Sequence, residues 1–251
     1  MDLTAKDLLI STWNKEAENY QPDAAMGPDY QAYFAELEAN LGPVKNKKIL
    51  DAGSGTGTAD AYLAGKGAQL YLVDISDKAL GFQKKYFKSL RVEGKFFRQD
   101  LFKMNFAPAS FDAVFNGGVI EHFDDEMKVE MIKIMWRLVK PGGRLLIGCP
   151  NAGDIPFMIA KKILELRHKW AFGKEDDLTG NRLSRLMKRA GIRNFEIYAY
   201  NPIVGWWFLP FGKEFTTELG LNQVNSHRRK SLLGHVLMLT ARKNQSDSRA
   251  R

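Results

Sequence analysis

The sequence predicts an α/β protein with a largely parallel sheet and helices on both faces. Three observations carry this. An apolar run, Ile49-Leu50, reaches Asp51 and then places Gly53, Gly55 and Gly57 at every second position before a helical stretch opens at Thr58. Short β-type runs alternate with helical patterns through the middle of the chain. Pro141-Gly142-Gly143 stops a helix and launches a strand.

Each element has its own signal. Strands are expected at 48–52, 69–74, 95–98, 111–116 and 143–149, where β-branched and aromatic residues cluster. The helices between them fall at 58–65, 77–91 and 124–139. A further helix at 179–191 sets Leu183, Leu186, Met187 and Ala190 on one face and stops at Gly191. Two more β-type segments follow, at 194–200 and 234–241.

Composition sets the frame. The chain has 251 residues, 45% hydrophobic and 26% charged, which suits a globular domain with a cap. Met1-Asp2-Leu3-Thr4 has no basic, apolar leader pattern, the longest apolar run is too short to span a bilayer, and Cys149 stands alone. A reducing cytoplasm is the expected location, with peripheral contact at the inner membrane surface as an extension. The net charge of +8 is uneven. Residues 1–150 carry 19 Lys and Arg against 20 Asp and Glu, whereas 151–251 carry 18 against 9. A solvated basic face explains this, as does an acidic substrate, an anionic membrane or a nucleic acid.

The glycine loop excludes one cofactor. A dinucleotide fingerprint needs G-x-G-x-x-G. Counted from Gly53 its third glycine falls on Thr58, and from Gly55 on Asp60. The spacing is instead D-x-G-x-G-x-G, which resembles the first motif of class I S-adenosylmethionine (SAM) dependent methyltransferases, in particular the type 11 and ubiquinone-pathway small-molecule members. The resemblance runs from about residue 45 to 243. It implies a seven-stranded, Rossmann-like methyltransferase sheet closed by an antiparallel pair, with SAM as cofactor. Three segments are extra to that core: a helical cap over 1–44 and lid insertions at about 150–177 and 201–232; the tail over 244–251, polar and charged with no apolar anchor, is expected to be disordered.

The same resemblance implies a cofactor site. Gly53, Gly55 and Gly57 would wrap the methionine part, with Asp51 beneath its ammonium group. Asp74 ends the second strand, where a carboxylate accepts from both ribose hydroxyls. An N-cap is its alternative role, one that Ser76 could fill instead. Ile75 would lie on the adenine, Asp100 and Leu101 would read its edge, and Asn116-Gly117 would line the methionine part. Trp13, Ala17 and Tyr20 match a W-x-x-x-A-x-x-Y segment whose tyrosine folds over the cofactor; their helical spacing also fits simple packing.

Chemistry narrows the rest. Methyl transfer is an in-line displacement, and a hydroxyl acceptor also needs a base. His122, in Glu121-His122 after the fourth strand, is the candidate; ordering its loop is the alternative. Relatives that bind a divalent metal use E-x-x-E-H, and Gly118 stands where the first glutamate would be. With one carboxylate and one imidazole, no metal is expected. Asn116-Gly117-Gly118-Val119 is not the [DN]-P-P-[YFW] motif of base-amino methylation, so nucleic acid is a disfavoured partner. RNA modification remains the rival activity, and SAM binding without turnover the rival of another class. The expected acceptor is a small or lipid-like molecule, partly apolar and partly anionic. Residues 156–170 should form a helix with Ile159, Ile163, Leu166 and Trp170 on one face. Gly205-Trp206-Trp207-Phe208-Leu209-Pro210-Phe211 is an apolar loop, with His227-Arg228-Arg229-Lys230 beyond it. Pocket wall, membrane surface and subunit contact all suit these segments.

Overall fold

The computed structural model describes residues 3–19, 28–170, 172–219 and 234–245. Seven strands form one sheet: β1 (Lys48–Ala52), β2 (Gln69–Asp74), β3 (Gly94–Arg98), β4 (Phe111–Gly117), β5 (Val139–Pro150), β6 (Phe195–Tyr200) and β7 (Val236–Arg242). Their order is β3-β2-β1-β4-β5-β7-β6. The first five are parallel, and β7 runs antiparallel between β5 and β6. Chain order reverses between β1 and β4, so ligands are expected beyond the carboxyl ends of those two strands.

Strand alternation sorts the core. Ile49 and Leu50 are neighbours in β1 and face opposite layers. Leu50, Val114, Leu145 and Leu239 pack with Ile132 and Met135 of α5 (Asp125–Leu138) and Leu186 of α7 (Gly180–Arg189). Ile49, Leu70, Phe115 and Met238 pack with Leu63 of α3 (Thr58–Gly65), Phe87 of α4 (Asp77–Leu90) and Leu37 of α2 (Pro28–Leu41). Caps aim helix N-termini at the carboxyl edge. Ser76 accepts from Ala79 N at 3.1 Å, and Asp124 from Met127 N at 2.9 Å.

Two expectations change. The Pro141-Gly142-Gly143 turn does not precede β5 but lies within it. Phe111 pairs with Val139 and Ala113 already with Arg144, so the strand loops out between them. Gly142 there has φ +82°, and a Cβ on Gly143 would stand 2.8 Å from Asp112 O. The second change concerns α6 (Ile155–Leu166). It ends at Leu166, short of the expected residue 170, and its apolar face points outward. Ile159 and Leu166 are 51% and 71% exposed, whereas Phe157, Ala160 and Lys161 are buried. Lys161 turns inward because Glu175 and Asp177 meet it there, and Trp170 lies beyond the end of the helix.

The additions to the sheet are α1 (Leu3–Asn19) and α2 in 1–44, α6 in 150–177, and a 3-10 helix (Val204–Phe208) with α8 (Gly212–Glu218) in 201–232. His227, Arg228, Arg229, Lys230 and the tail from residue 246 lie outside the described residues.

Candidate active site

A cleft of about 590 Å³ opens at the carboxyl edge of the sheet. One half is lined by the glycine loop, the other by aromatic rings.

In the first half, Gly53, Gly55 and Gly57 all have positive φ (94°, 50° and 69°), for different reasons. A Cβ on Gly53 would stand 2.6 Å from Val119 Cγ2, and one on Gly57 would stand 2.9 Å from Gln83 Cγ. At Gly55 there is space, and only the backbone conformation demands glycine. Gln83, a residue the motif did not flag, pins the loop: its Nε2 donates to Ser54 Oγ at 2.9 Å and to Gly55 O at 2.6 Å. Asp74 accepts from Gly55 N and Ser76 N, each at 2.8 Å. Ser76 takes the N-cap role, leaving Asp74 to tie two loops together on the cleft wall.

Asp51, Ile75, Asp100, Leu101 and Gly117 also reach the cleft. Asp100 caps the short helix after β3, accepting from Phe102 N at 3.0 Å. Two expected residues do not line it. Gly57 lies behind the loop against Gln83. Asn116 is buried and donates to Ala52 O, tying β4 to β1. Tyr20 lies outside the described residues, but Trp13 and Ala17 line the cleft.

Asp60, in the first turn of α3, was not foreseen. It is buried beside Asp51. Asp51 Oδ1 and both Asp60 carboxylate oxygens have no hydrogen-bond partner among the described residues. Burial pushes Asp60 up to about 7, and burial together with the Asp60 charge pushes Asp51 up as well. Two buried carboxylates with idle oxygens need a proton or a cation.

At the turn into the other half, Glu121 and His122 sit on a 3-10 helix (Ile120–His122). The His122 ring stands edge-on to Trp13, centroids 5.2 Å apart. Its Nδ1 lies 3.4 Å from Lys174 O, which can only accept, so Nδ1 carries the proton and Nε2 is basic. Burial lowers its pKa, keeping it neutral. Burial pushes Glu121 up to about 8. Glu175 approaches from the lid, and ligand atoms of Glu121, His122 and Glu175 lie within 4.8 Å of one another. The expectation of no metal counted two ligands; Glu175 is a third, supplied from 53 residues downstream of His122 rather than from position 118. Lys161 Nζ already stands 3.0 Å from Glu175 Oε2.

The lid is strapped down. Asp176 N donates to Glu121 O at 2.7 Å, and its carboxylate meets Lys128 and both Arg182 terminal nitrogens. Beyond it, Phe157, Trp170, Phe172, Phe208 and His235 form an aromatic wall. The Phe157 and His235 centroids are 4.5 Å apart, and those of Trp170 and Phe172 5.3 Å. Among the described residues no Lys or Arg lines the cleft.

A methyltransferase-domain family model matches residues 49–143, which span β1 to the start of β5. A ubiquinone biosynthesis O-methyltransferase from Thiobacillus denitrificans is 29% identical over 171 residues, 64% of this chain and 72% of that protein. These matches support a SAM-dependent methyltransferase. The chain's fold matches solved methyltransferases. A SAM-dependent methyltransferase from Archaeoglobus fulgidus superposes with a TM-score of 0.61 at 18% identity, covering 85% of this chain and 94% of that one. Magnesium protoporphyrin IX methyltransferase from Synechocystis PCC 6803, with bound S-adenosylhomocysteine, gives 0.59 at 19%, covering 85% and 81%. The methyltransferase cleft fits the cofactor's chemistry. The idle Asp51 and Asp60 oxygens suit an ammonium group, and the open space beside Gly55 admits a close ligand. No helix among the described residues is long and apolar enough to cross a membrane.

Proposed function

We propose that the enzyme transfers the methyl of SAM to a hydroxyl on a small, largely apolar, lipid-like acceptor. The carrying observation is the single cleft, in which a glycine-loop half with idle carboxylates adjoins an aromatic half. The O-methyltransferase relative supports oxygen as the methylated atom. When bound, SAM supplies an electrophilic methyl on a sulfonium. Asp51 and Asp60 hold its ammonium, Asp74 its ribose, and Ile75, Asp100 and Leu101 its adenine. His122, neutral with Nε2 free of its proton, accepts the acceptor's hydroxyl proton. The aromatic wall and the strapped lid exclude water. We propose no metal: the Lys161 ammonium already neutralises Glu175, the ligand a third metal bond would need.

The lipid-like character has support at the rim. Ile155, Ile159 and Leu166 of α6 are exposed, as are Trp206, Phe211 and Phe215 on the adjoining 3-10 helix and α8. Phe157 and Phe208, 5.2 Å apart, join this face to the cleft. Such a face suits a bilayer surface that stores an apolar acceptor, on the cytoplasmic side given the lone, buried Cys149. The anionic half of the expected acceptor gains no support from the described lining. A second reading has its own observation: Glu121 and Glu175 beside aromatic rings also suit an amine acceptor. The cleft half lined with rings favours a small molecule over RNA.

A panel of apolar phenols and matched amines, with methyl-labelled SAM, tests the assignment. Label is expected on phenol oxygen. Transfer only to nitrogen would select the second reading, and transfer to RNA alone would overturn both.

A further inference from the structure

His235 and Asp154 are far apart in sequence, and beyond the place of the His235 ring in the aromatic wall neither has been given a role. Asp154 caps α6, accepting from Phe157 N through Oδ1 at 3.4 Å. Its other oxygen, Oδ2, lies 3.1 Å from His235 Nδ1. The carboxylate is buried, and the His235 side chain is 13% exposed, boxed by the Phe157 and Phe208 rings. A carboxylate accepts, so Nδ1 carries the imidazole proton. That leaves the Nε2 lone pair as an acceptor on the cleft, and among the described residues no hydrogen bond engages it.

The pair is built in from above as well. Gly205 passes directly over Asp154, and a Cβ on it would stand 2.0 Å from Oδ2. Only glycine lets the chain cross there while the carboxylate keeps its aim at His235.

We propose that His235, oriented by Asp154 under Gly205, is a specificity-determining acceptor that reads an O–H or N–H on the apolar body of the substrate. This donor is distinct from the methylated group. His122 follows β4 and His235 precedes β7, with β5 between them. Two strand spacings put those strand ends about 10 Å apart, so the two imidazoles reach the cleft from different strand ends. The substrate class is therefore an apolar ring system with two polar substituents, the second read at the aromatic end.

The inference deepens the acceptor reading above and rests on it, but its test needs no methyl transfer. Phenol and toluene differ by one hydroxyl, and their affinities for the SAM-free protein can be measured by NMR titration. Phenol should bind about tenfold tighter, the worth of one hydrogen bond, and shift the His235 Nε2 resonance. His235→Phe keeps the ring packing and should bring the ratio to about one. Gly205→Ala, which displaces Asp154, should convert His235 to the Nε2–H tautomer and reduce the ratio similarly. If Gly205→Ala fails to fold, His235→Phe decides alone. Equal affinities in the wild type, no phenol binding, an Nε2–H tautomer in the wild type, or an unchanged ratio in His235→Phe would each overturn the proposal. A phenol-to-toluene ratio of one would leave transfer to phenol oxygen standing, and failure of that transfer would leave the ratio standing.

Discussion

Cofactor binding should release a proton, because of the Asp51–Asp60 pair. Both carboxyls are buried with idle oxygens, and Asp60 is pushed up to about 7. Below that pH the free protein holds a proton on the pair. The cofactor's ammonium favours the ionised Asp60 carboxylate, so that one proton and the ligand compete. The apparent Kd then scales as one plus the ratio of proton concentration to that acid constant. Relative to its limiting value, Kd should be about 1.1-fold higher at pH 8 and about 11-fold higher at pH 6, a loss of roughly tenfold between them. Calorimetry with S-adenosylhomocysteine in buffers of different ionisation heat reads the proton directly. About 0.9 proton should be released per ligand at pH 6 and about 0.1 at pH 8. Asp60→Asn should weaken binding and move the dependence to lower pH. An unchanged Kd across this range, with no proton released, would refute the ammonium role of the pair.

Further expectations follow from the same geometry. Asp74→Ala should weaken S-adenosylhomocysteine binding by about 1.5–3 kcal/mol, and because Asp74 also ties Gly55 to Ser76 it should lower Tm slightly; an unchanged Kd would remove it from the site. His122→Ala should lower kcat more than it raises KM for SAM, and normal turnover on the true acceptor would leave it a loop-ordering role. Chelator treatment should leave activity intact, and loss restored by a divalent cation would show that Glu121, His122 and Glu175 hold a metal. A carboxyl raised by burial binds its proton more tightly folded than unfolded, so Glu121, at about 8, should make the ligand-free protein less stable as pH rises through 7 to 8; a melting temperature flat over that interval would contradict its burial. Vesicle binding should depend on Trp206 and Phe211, which are exposed, and not on Trp207, whose Nε1 donates to Thr216 Oγ1 at 3.1 Å; no sedimentation with anionic vesicles at low salt would rule out the membrane face.

The parallel half of the fold was legible because its signals are local. A strand that empties into alternating glycines, and helices opened by Ser76 and Asp124, announce themselves within ten residues or so of chain. Gly53, Gly55 and Asp74 were legible on the same grounds, since the loop and the strand end are separated by one helix. What escaped depends on distant packing. Asp60 looks like any acidic residue in a first helical turn, and only its burial beside Asp51 singles it out as a candidate for the ammonium. Glu175 reaches Glu121 through a strap whose ion pairs join three segments. His235 and Asp154 meet because β7 pairs with the end of β5, Val236 opposite Pro150. Which face of α6 turns inward was not legible for a related reason. A buried lysine is unexpected until Glu175 and Asp177 are seen beside it.

The central claim is that one cleft holds the cofactor in its glycine-loop half and the acceptor against its aromatic half. A crystal structure with S-adenosylhomocysteine tests it most directly. The account predicts the ammonium between Asp51 and Asp60, the ribose on Asp74, and the sulfur turned toward Glu121 and His122 with the aromatic wall beyond it. A ligand bound outside the cleft, or one whose sulfur faces away from that wall, would contradict it.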